Sequence, residues 1–346
     1  MLQAGPQGET ALNVLRHTAD AGLAQALSLP GALGALVYGL PMPVGSPGLA
    51  PIGLKVISGT GSLVEAWRGG AGGLQSGNCG SVSWCHDGHW LFGALNLPER
   101  PDSGGLAALT EQAYAELFET LAMTGFEHLQ RLWNYLPAIN AEQDGQERYR
   151  QFNSGRQHAF VQAGRSTLDG APAACALGTH GGGLCLRFLA GRRPALAIEN
   201  PRQISAYRYP SNYGQRAPLF SRAALVEAGG GRVALLISGT SSIQGHASLH
   251  LGDITAQTRE TMTNLRAVLA AAHGRTTARF EWSELCCTVY LRRPDELAAV
   301  RAEFEAAVGA ASVAARLAAY LEADICRSDL GVEIEAHVFA PGALLA

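Results

Sequence analysis

Near the C-terminal end, the run GVEIEAHVFA places Glu333, Glu335 and His337 on one face of an alternating segment and Val332, Ile334, Ala336 and Val338 on the other. A carboxylate on a strand usually faces water. Held among apolar neighbours, a carboxylic acid instead keeps its proton and can deliver it as a general acid at neutral pH. One of the two glutamates is expected to serve chemistry. A second constellation interleaves arginine with tyrosine and asparagine: Arg148, Tyr149, Asn153 and Arg156 in ERYRQFNSGRQHAF, then Tyr207, Tyr213, Arg216 and Arg222 in ENPRQISAYRYPSNYGQRAPLFSRA. Guanidinium forks bind carboxylates through paired hydrogen bonds, so a small dianionic ligand is the reading that uses these residues. Surface arginines stacked on aromatic rings would give the same composition.

Other chemistry-bearing residues point nowhere in particular. Cys79, Cys85, His86 and His89 are metal-capable types, but their spacing matches no common zinc pattern, and a tight turn would splay their side chains; no metal is expected. His180 before three glycines reads as a turn residue, and that glycine run lacks the acidic partner of a dinucleotide fingerprint. The 26 basic residues include a single lysine, Lys55, which removes Schiff-base chemistry and the phosphate-binding Gly-Lys-Ser/Thr loop from consideration and leaves anion binding to arginine. A net charge of -3 gives no basic field for nucleic acid. No stretch is apolar for long enough to span a bilayer, no signal peptide is recognised, and the seven cysteines are odd in number and scattered; a reducing, cytoplasmic setting without membrane contact is expected.

The elements that would position these residues follow from periodicity. Up to residue 50 the chain is rich in Gly, Pro and Ala, with a weak helical stretch over 11–26 and turn signals at Pro41, Pro43 and Pro47, and reads as an appended segment. KVISGTGSLVEAW and residues 81–95 alternate as strands, two or three in all, with a hairpin turn at Asp87-Gly88. Leu106, Leu109, Ala113, Leu117 and Leu121 mark a helix that Asp102 or Ser103 could cap and Gly125 could end. LQRLWNYLP is a strand. The second half repeats the order: a strand in VALLISGTSSIQG, a helix over 254–272, a strand in LCCTVYLRR, a helix opened by Pro294 and closed by Gly309, and the final strand. The result is an α+β chain of mixed sheets with helices on one face and an internal duplication. The closing Val-Glu-Ile-Glu strand and element order of the second half resemble a RidA/YjgF-type domain, and the first half resembles a degenerate copy. The division expected is 1–50 appended, 51–170 degenerate copy, and 171–346 the copy with the catalytic strand.

RLWNYLPAIN, ERYRQFNSGRQHAF, ENPRQISAYRYP with YGQRAP, ISGTSSIQGH and DICRSDLGVEIE occur in one order over roughly residues 55–340, and together they resemble the chorismatases. The resemblance implies cleavage of the enolpyruvyl ether of chorismate without cofactor or metal, and a final-strand glutamate that protonates the enolpyruvyl methylene. That position matches Glu333, with Glu335 as fallback. Chorismate carries two carboxylates, which suits the arginines, although their pairing is open. Within the family, a glycine in the Ile-Ser-Gly-Thr turn and a cysteine before the final strand go with 3-hydroxybenzoate as product; Gly239 and Cys326 stand there. A thiol could relay a proton, whereas the alternative reading of Cys326 is a small buried hydrophobe. The function expected is conversion of chorismate to 3-hydroxybenzoate and pyruvate. Hydrolysis to a dihydroxycyclohexadiene carboxylate, formation of 4-hydroxybenzoate, and a non-catalytic module that binds an aromatic acid are the alternatives. Either a monomer or a homotrimer is compatible.

Overall fold

The computed structural model describes residues 11–18, 30–39, 51–58, 61–70, 72–168 and 170–345. In its first part, strands β1 (Asn13–Thr18), β2 (Ala32–Tyr38), β3 (Lys55–Val56) and β4 (Leu63–Arg68) appear in chain order, and β4 lies antiparallel between β1 and β2. The helix expected over 11–26 is a strand over Asn13–Thr18, and the segment expected to be appended supplies two strands of the body. The cause is tertiary: the ladder partner of β1 lies about fifty residues on, and its hydrogen bonds override a weak local preference. Residues 19–26 and the prolines at 41, 43 and 47 lie outside the described residues.

Strands β5 (Gln75–Cys79), β6 (Val82–His86), β7 (Trp90–Leu97), β8 (His128–Pro137), β9 (Ala173–Thr179) and β10 (Leu184–Gly191) form a six-stranded sheet in the order β9-β8-β10-β7-β6-β5. The β6–β7 hairpin turns at Asp87-Gly88, where Asp87 Oδ1 accepts from the His89 and Trp90 amides at 2.8 and 2.7 Å. Helices α1 (Gly105–Thr124) and α2 (Arg148–Gln162) bury their apolar sides against this sheet. Helix α1 ends at Gly125 in the left-handed conformation, as expected, but Gly104 begins it; the Ser103 hydroxyl accepts from the Arg100 amide instead of capping.

Strands β11 (Leu196–Ile198), β12 (Ala223–Gly229), β13 (Arg232–Ser241), β14 (Cys286–Leu291), β15 (Ala319–Glu322) and β16 (Val332–Pro341) join β3 in a seven-stranded sheet ordered β11-β12-β13-β16-β14-β15-β3. Helices α3 (Ile254–His273) and α4 (Leu297–Val308) cover it. In both sheets a hairpin is followed by helix, strand, helix and a parallel strand. A last strand then inserts antiparallel between the hairpin and the strand after the first helix. The duplication is therefore a property of the topology. The boundary drawn at residue 170 falls before β9 and β10, which pair into the first sheet.

Three buried clusters separate four layers: helices on the first sheet, sheet against sheet, and the second sheet on its helices. On β16, Val332, Ile334, Ala336 and Val338 face the α3/α4 side. The opposite face, with Glu333, Glu335 and His337, is buried between the sheets instead of meeting water. Among the described residues no helix is long and apolar enough to cross a membrane.

Candidate active site

A cavity of about 470 Å3 opens between the sheets at the start of β16. Glu333 lines it while remaining only 3% exposed. Burial pushes the Glu333 carboxyl up to about 8; the neighbouring Glu335 adds to this, and Arg131 and Arg222 oppose it. A protonated carboxyl thus faces the cavity at neutral pH. Strand β13 makes room for it. Its register with β16 shifts between Ile237 and Thr240, so Ser238 and Gly239 form a bulge. The bulge is pinned: the Ser238 hydroxyl accepts from the Ala174 amide at 2.9 Å and donates to the Ser221 carbonyl at 2.6 Å. A Cβ at residue 239 would lie 1.8 Å from Glu333 Oε1, so the glycine leaves the space that this carboxyl occupies.

Cys326, between β15 and β16, also lines the cavity. Burial first, then Glu333, pushes its thiol up to about 12, so a neutral S–H stands beside the carboxyl. Gly239 on β13 thus meets Cys326 and Glu333, which stand much later in the sequence, at one cavity.

The structure divides the eight residues expected to bind an anion. Tyr149, Tyr213 and Arg222 line the cavity. Arg222 donates through Nη2 to the Ile204 carbonyl and the Tyr209 hydroxyl, both at 2.8 Å, and its buried Nε has no protein acceptor among the described residues. The other five lie elsewhere. Arg148 is engaged by Glu99 in two hydrogen bonds of 2.9 and 2.6 Å and by the Pro137 carbonyl. Arg156 and Asn153 are buried on α2, where the guanidinium donates to Asn153 Oδ1 at 2.9 Å and lies over the Phe152 ring. Tyr207 packs against the first helix-sheet core, and Arg216 is exposed. ERYRQFNSGRQHAF, for which the sequence reading gives no helix, is mostly helix α2; its buried face carries polar residues, which hide the periodicity.

Two cavity arginines, Arg150 and Arg327, went unnoticed in the sequence, and Arg150 pairs with Glu147 at 3.4 Å. Arg327 donates through Nη1 to the His246 carbonyl at 2.8 Å and Ser248 Oγ at 3.2 Å, and lies 4.1 and 5.2 Å from the Tyr213 and Tyr209 ring centres. Its buried Nη2 has no protein acceptor among the described residues. Arg222 and Arg327 thus line the cavity, each with one buried N–H that has no protein acceptor among the described residues, and guanidinium groups at a cavity suit a ligand with two carboxylates. The sequence signal for Arg327 was its place in DICRSDLGVEIE, next to Cys326.

The Cys79, Cys85, His86 and His89 set does not gather; His86 stacks on Trp84, with ring centres 5.4 Å apart. Among the described residues one group of metal-capable types converges, Glu65, Cys286 and His337, with donor atoms within 4.8 Å of each other. Arg16 donates to Glu65 Oε2 through both Nε and Nη2, at 3.2 and 2.5 Å, and further to the Cys287 and Leu317 carbonyls. The guanidinium already supplies the positive charge that this carboxylate needs, so the cluster reads as an ion-pair network.

A family profile described as chorismatase FkbO/Hyg5-like, N-terminal, matches residues 65–190. A 3-hydroxybenzoate synthase of Streptomyces hygroscopicus is 38% identical over 275 residues, which cover 76% of this chain and 78% of that protein. A chorismatase of Streptomyces rapamycinicus is 36% identical over 290 residues, covering 80% and 82% respectively. A crystal structure of a chorismatase superposes with a TM-score of 0.84 at 30% identity, over 96% of this chain and all of the other. With relatives this similar over most of their length, and with a buried acid and three arginines gathered at one cavity, the chain belongs to the chorismatase family.

Proposed function

We propose that the protein converts chorismate to 3-hydroxybenzoate and pyruvate, with Glu333 as the acid. The observation that carries this reading is the Glu333 carboxyl, buried, raised to about 8 and aimed into a cavity that also holds Arg222 and Arg327. The two arginines hold the two substrate carboxylates. Glu333 delivers its proton to the enolpyruvyl methylene, and the ether becomes an oxocarbenium ion. The adjacent ring hydroxyl then displaces the carbonyl oxygen of the departing pyruvate and returns its proton to the Glu333 carboxylate, leaving an arene-oxide-like ring. That ring opens, the ring C–H proton is lost, and the opened oxygen is protonated to give the phenol. The products together contain the atoms of chorismate, so no water is consumed. The neutral thiol of Cys326, beside Glu333, supplies the relay for the proton movements of ring opening.

The 3-hydroxybenzoate synthase from Streptomyces hygroscopicus is among the relatives, which supports the choice of product. The purified protein is incubated with chorismate, without added metal or cofactor, while pyruvate is followed and the ring product identified by chromatography and mass. Pyruvate with 3-hydroxybenzoate is expected. A dihydroxycyclohexadiene carboxylate or 4-hydroxybenzoate would overturn the product assignment, and no pyruvate at all would favour ligand binding without turnover. Replacement of Cys326 by Ala is expected to raise the share of other ring products; an unchanged ratio would remove the thiol from the reaction.

A further inference from the structure

The two glutamates of β16 share a face but not a situation. Successive residues on one face of a strand stand about 7 Å apart, close enough in a buried setting for one negative charge to oppose a second. Glu333 has no ion pair among the described residues. Glu335 accepts from Arg131 Nη2 at 2.5 Å and from the Tyr290 hydroxyl at 2.9 Å. Tyr290 is tied to Tyr135 at 3.2 Å, and Tyr135 to Tyr38 at 2.9 Å, so the partners of Glu335 are themselves held in place. Arg131 Nη1 donates to the Ile237 carbonyl at 2.7 Å, two residues before Gly239, which joins this pair to the bulge that seats Glu333.

We propose that Glu335 is a positioning residue for Glu333: held by Arg131 in an ion pair and by the Tyr290 hydroxyl, it makes the cavity-facing carboxyl the one that keeps its proton before substrate arrives. The inference rests on the reading of Glu333 as the acid. Of two adjacent buried carboxyls one ionises first, and partners decide which. Were the assignment reversed, the group facing the enolpyruvyl carbon would have no proton to give.

The groups surrounding this pair are consistent with it. Glu333 faces Arg131 on β8, Cys175 on β9, Arg222 before β12, Ser241 on β13, Tyr149 on α2 and Cys326. Glu335 faces Arg131 and Tyr135 on β8, Tyr38 on β2, Cys175 on β9, and Cys286, Cys287 and Tyr290 on β14. Burial pushes these thiols and phenols up, so they are neutral, and it pushes His337 on the same face down to about 4, leaving it neutral as well. The charges that bear on Glu333 are therefore Glu335, which favours the protonated form, and Arg131 and Arg222, which disfavour it.

The test is the pH profile of kcat/KM for pyruvate release from chorismate. In the parent enzyme activity falls as pH rises through about 8. Glu335→Gln removes the neighbouring charge and leaves Arg131, so this limb moves to lower pH by on the order of one unit or more. Arg131→Gln has the opposite sign: without its cation the carboxyl pair holds its last proton more tightly, so the limb moves up, and the plateau falls because Glu335 now competes for that proton. Tyr290→Phe keeps both charges and serves as the packing control, with the smallest displacement of the three. Displacements in opposite directions support the proposal. A limb that stays in place in either charge variant overturns it, so one folded variant is enough to decide. A parent enzyme that releases no pyruvate would instead defeat the assigned reaction, and the two failures are told apart by the parent profile alone.

Discussion

Strands β10 and β16 hold the same place in their two sheets, each inserted antiparallel beside a hairpin strand that carries a glycine, and they use that place differently. In the first sheet, a Cβ on Gly93 would sit 2.0 Å from the tip of the Phe188 ring; the space the glycine leaves is filled by an apolar side chain. In the second, a Cβ on Gly239 would sit 1.8 Å from Glu333 Oε1, and that space is filled by a carboxyl that borders a cavity. Strand β10 buries Leu184, Leu186 and Phe188 against helices, with Arg187 donating through Nη1 to the Leu95 carbonyl and Asn96 Oδ1. Strand β16 turns two carboxyls and a histidine toward the other sheet. A duplicated scaffold thus has one copy that closes its core and one that holds an acid. Chemistry belongs to the placement of side chains and not to the topology that the copies share.

The contrast is broken most severely by Glu333→Gln. Glutamine matches the neutral carboxyl in shape but has no acidic proton, so pyruvate release should fall by about 10^2 to 10^4, the usual worth of a general acid, with the unfolding transition little changed. A variant that keeps the parent rate would take the acid role away from β16. The mirror experiment is Phe188→Ala. Phe188 is fully buried, so truncation should cost about 3–5 kcal/mol of stability by denaturant unfolding. The folded variant should turn over chorismate at close to the parent rate, because Phe188 packs in the helix-sheet core and not along the cavity.

The same carboxyl ties stability to pH. In the folded protein Glu333 is raised from 4.5 to about 8, so the folded state keeps a proton that the unfolded chain gives up. Its contribution is full below about 4.5 and is lost as pH rises through about 8. Urea unfolding of the parent should therefore weaken between about pH 5 and 9 by a few kcal/mol more than that of Glu333→Gln. Parallel curves would mean that the carboxyl is ionised in the folded state.

Local patterns carried much of the fold. The apolar stripes of α3 and α4, the Gly125 and Gly309 ends, the Asp87-Gly88 hairpin and the two faces of β16 all follow from spacing within a dozen residues. What escaped depends on partners distant in the chain or on polar atoms in buried places. Strands β1 and β2 become strands through β4, and α2 hides its inward face behind Arg148, Asn153 and Arg156. The site divides the same way. Glu333, Gly239 and Cys326 were legible in motifs, whereas the arginine that engages Glu335 stands 204 residues away on another sheet and carries no local mark. Residue type likewise does not show whether an arginine faces a cavity, as Arg222 does, or an internal glutamate, as Arg148 does.

The smallest effect, and the most discriminating, is expected from Gly239→Ala. The atom that a new methyl would meet is the far end of the Glu333 side chain, which can swing into the cavity, so the fold should survive with little loss of stability. The carboxyl then leaves the seat from which it reaches the methylene, and a displacement of this kind lowers the rate by about 10^2. The ring product should shift as well, because a displaced acid no longer receives the proton of the ring hydroxyl. Gly93→Ala makes the matching insertion in the silent copy, but there the methyl meets a fully buried ring with no cavity to retreat into, so the loss should appear in unfolding and not in product ratio. If both alanines changed stability alone, the glycine of β13 would be a packing device like its counterpart, and the product assignment would have to rest on Cys326.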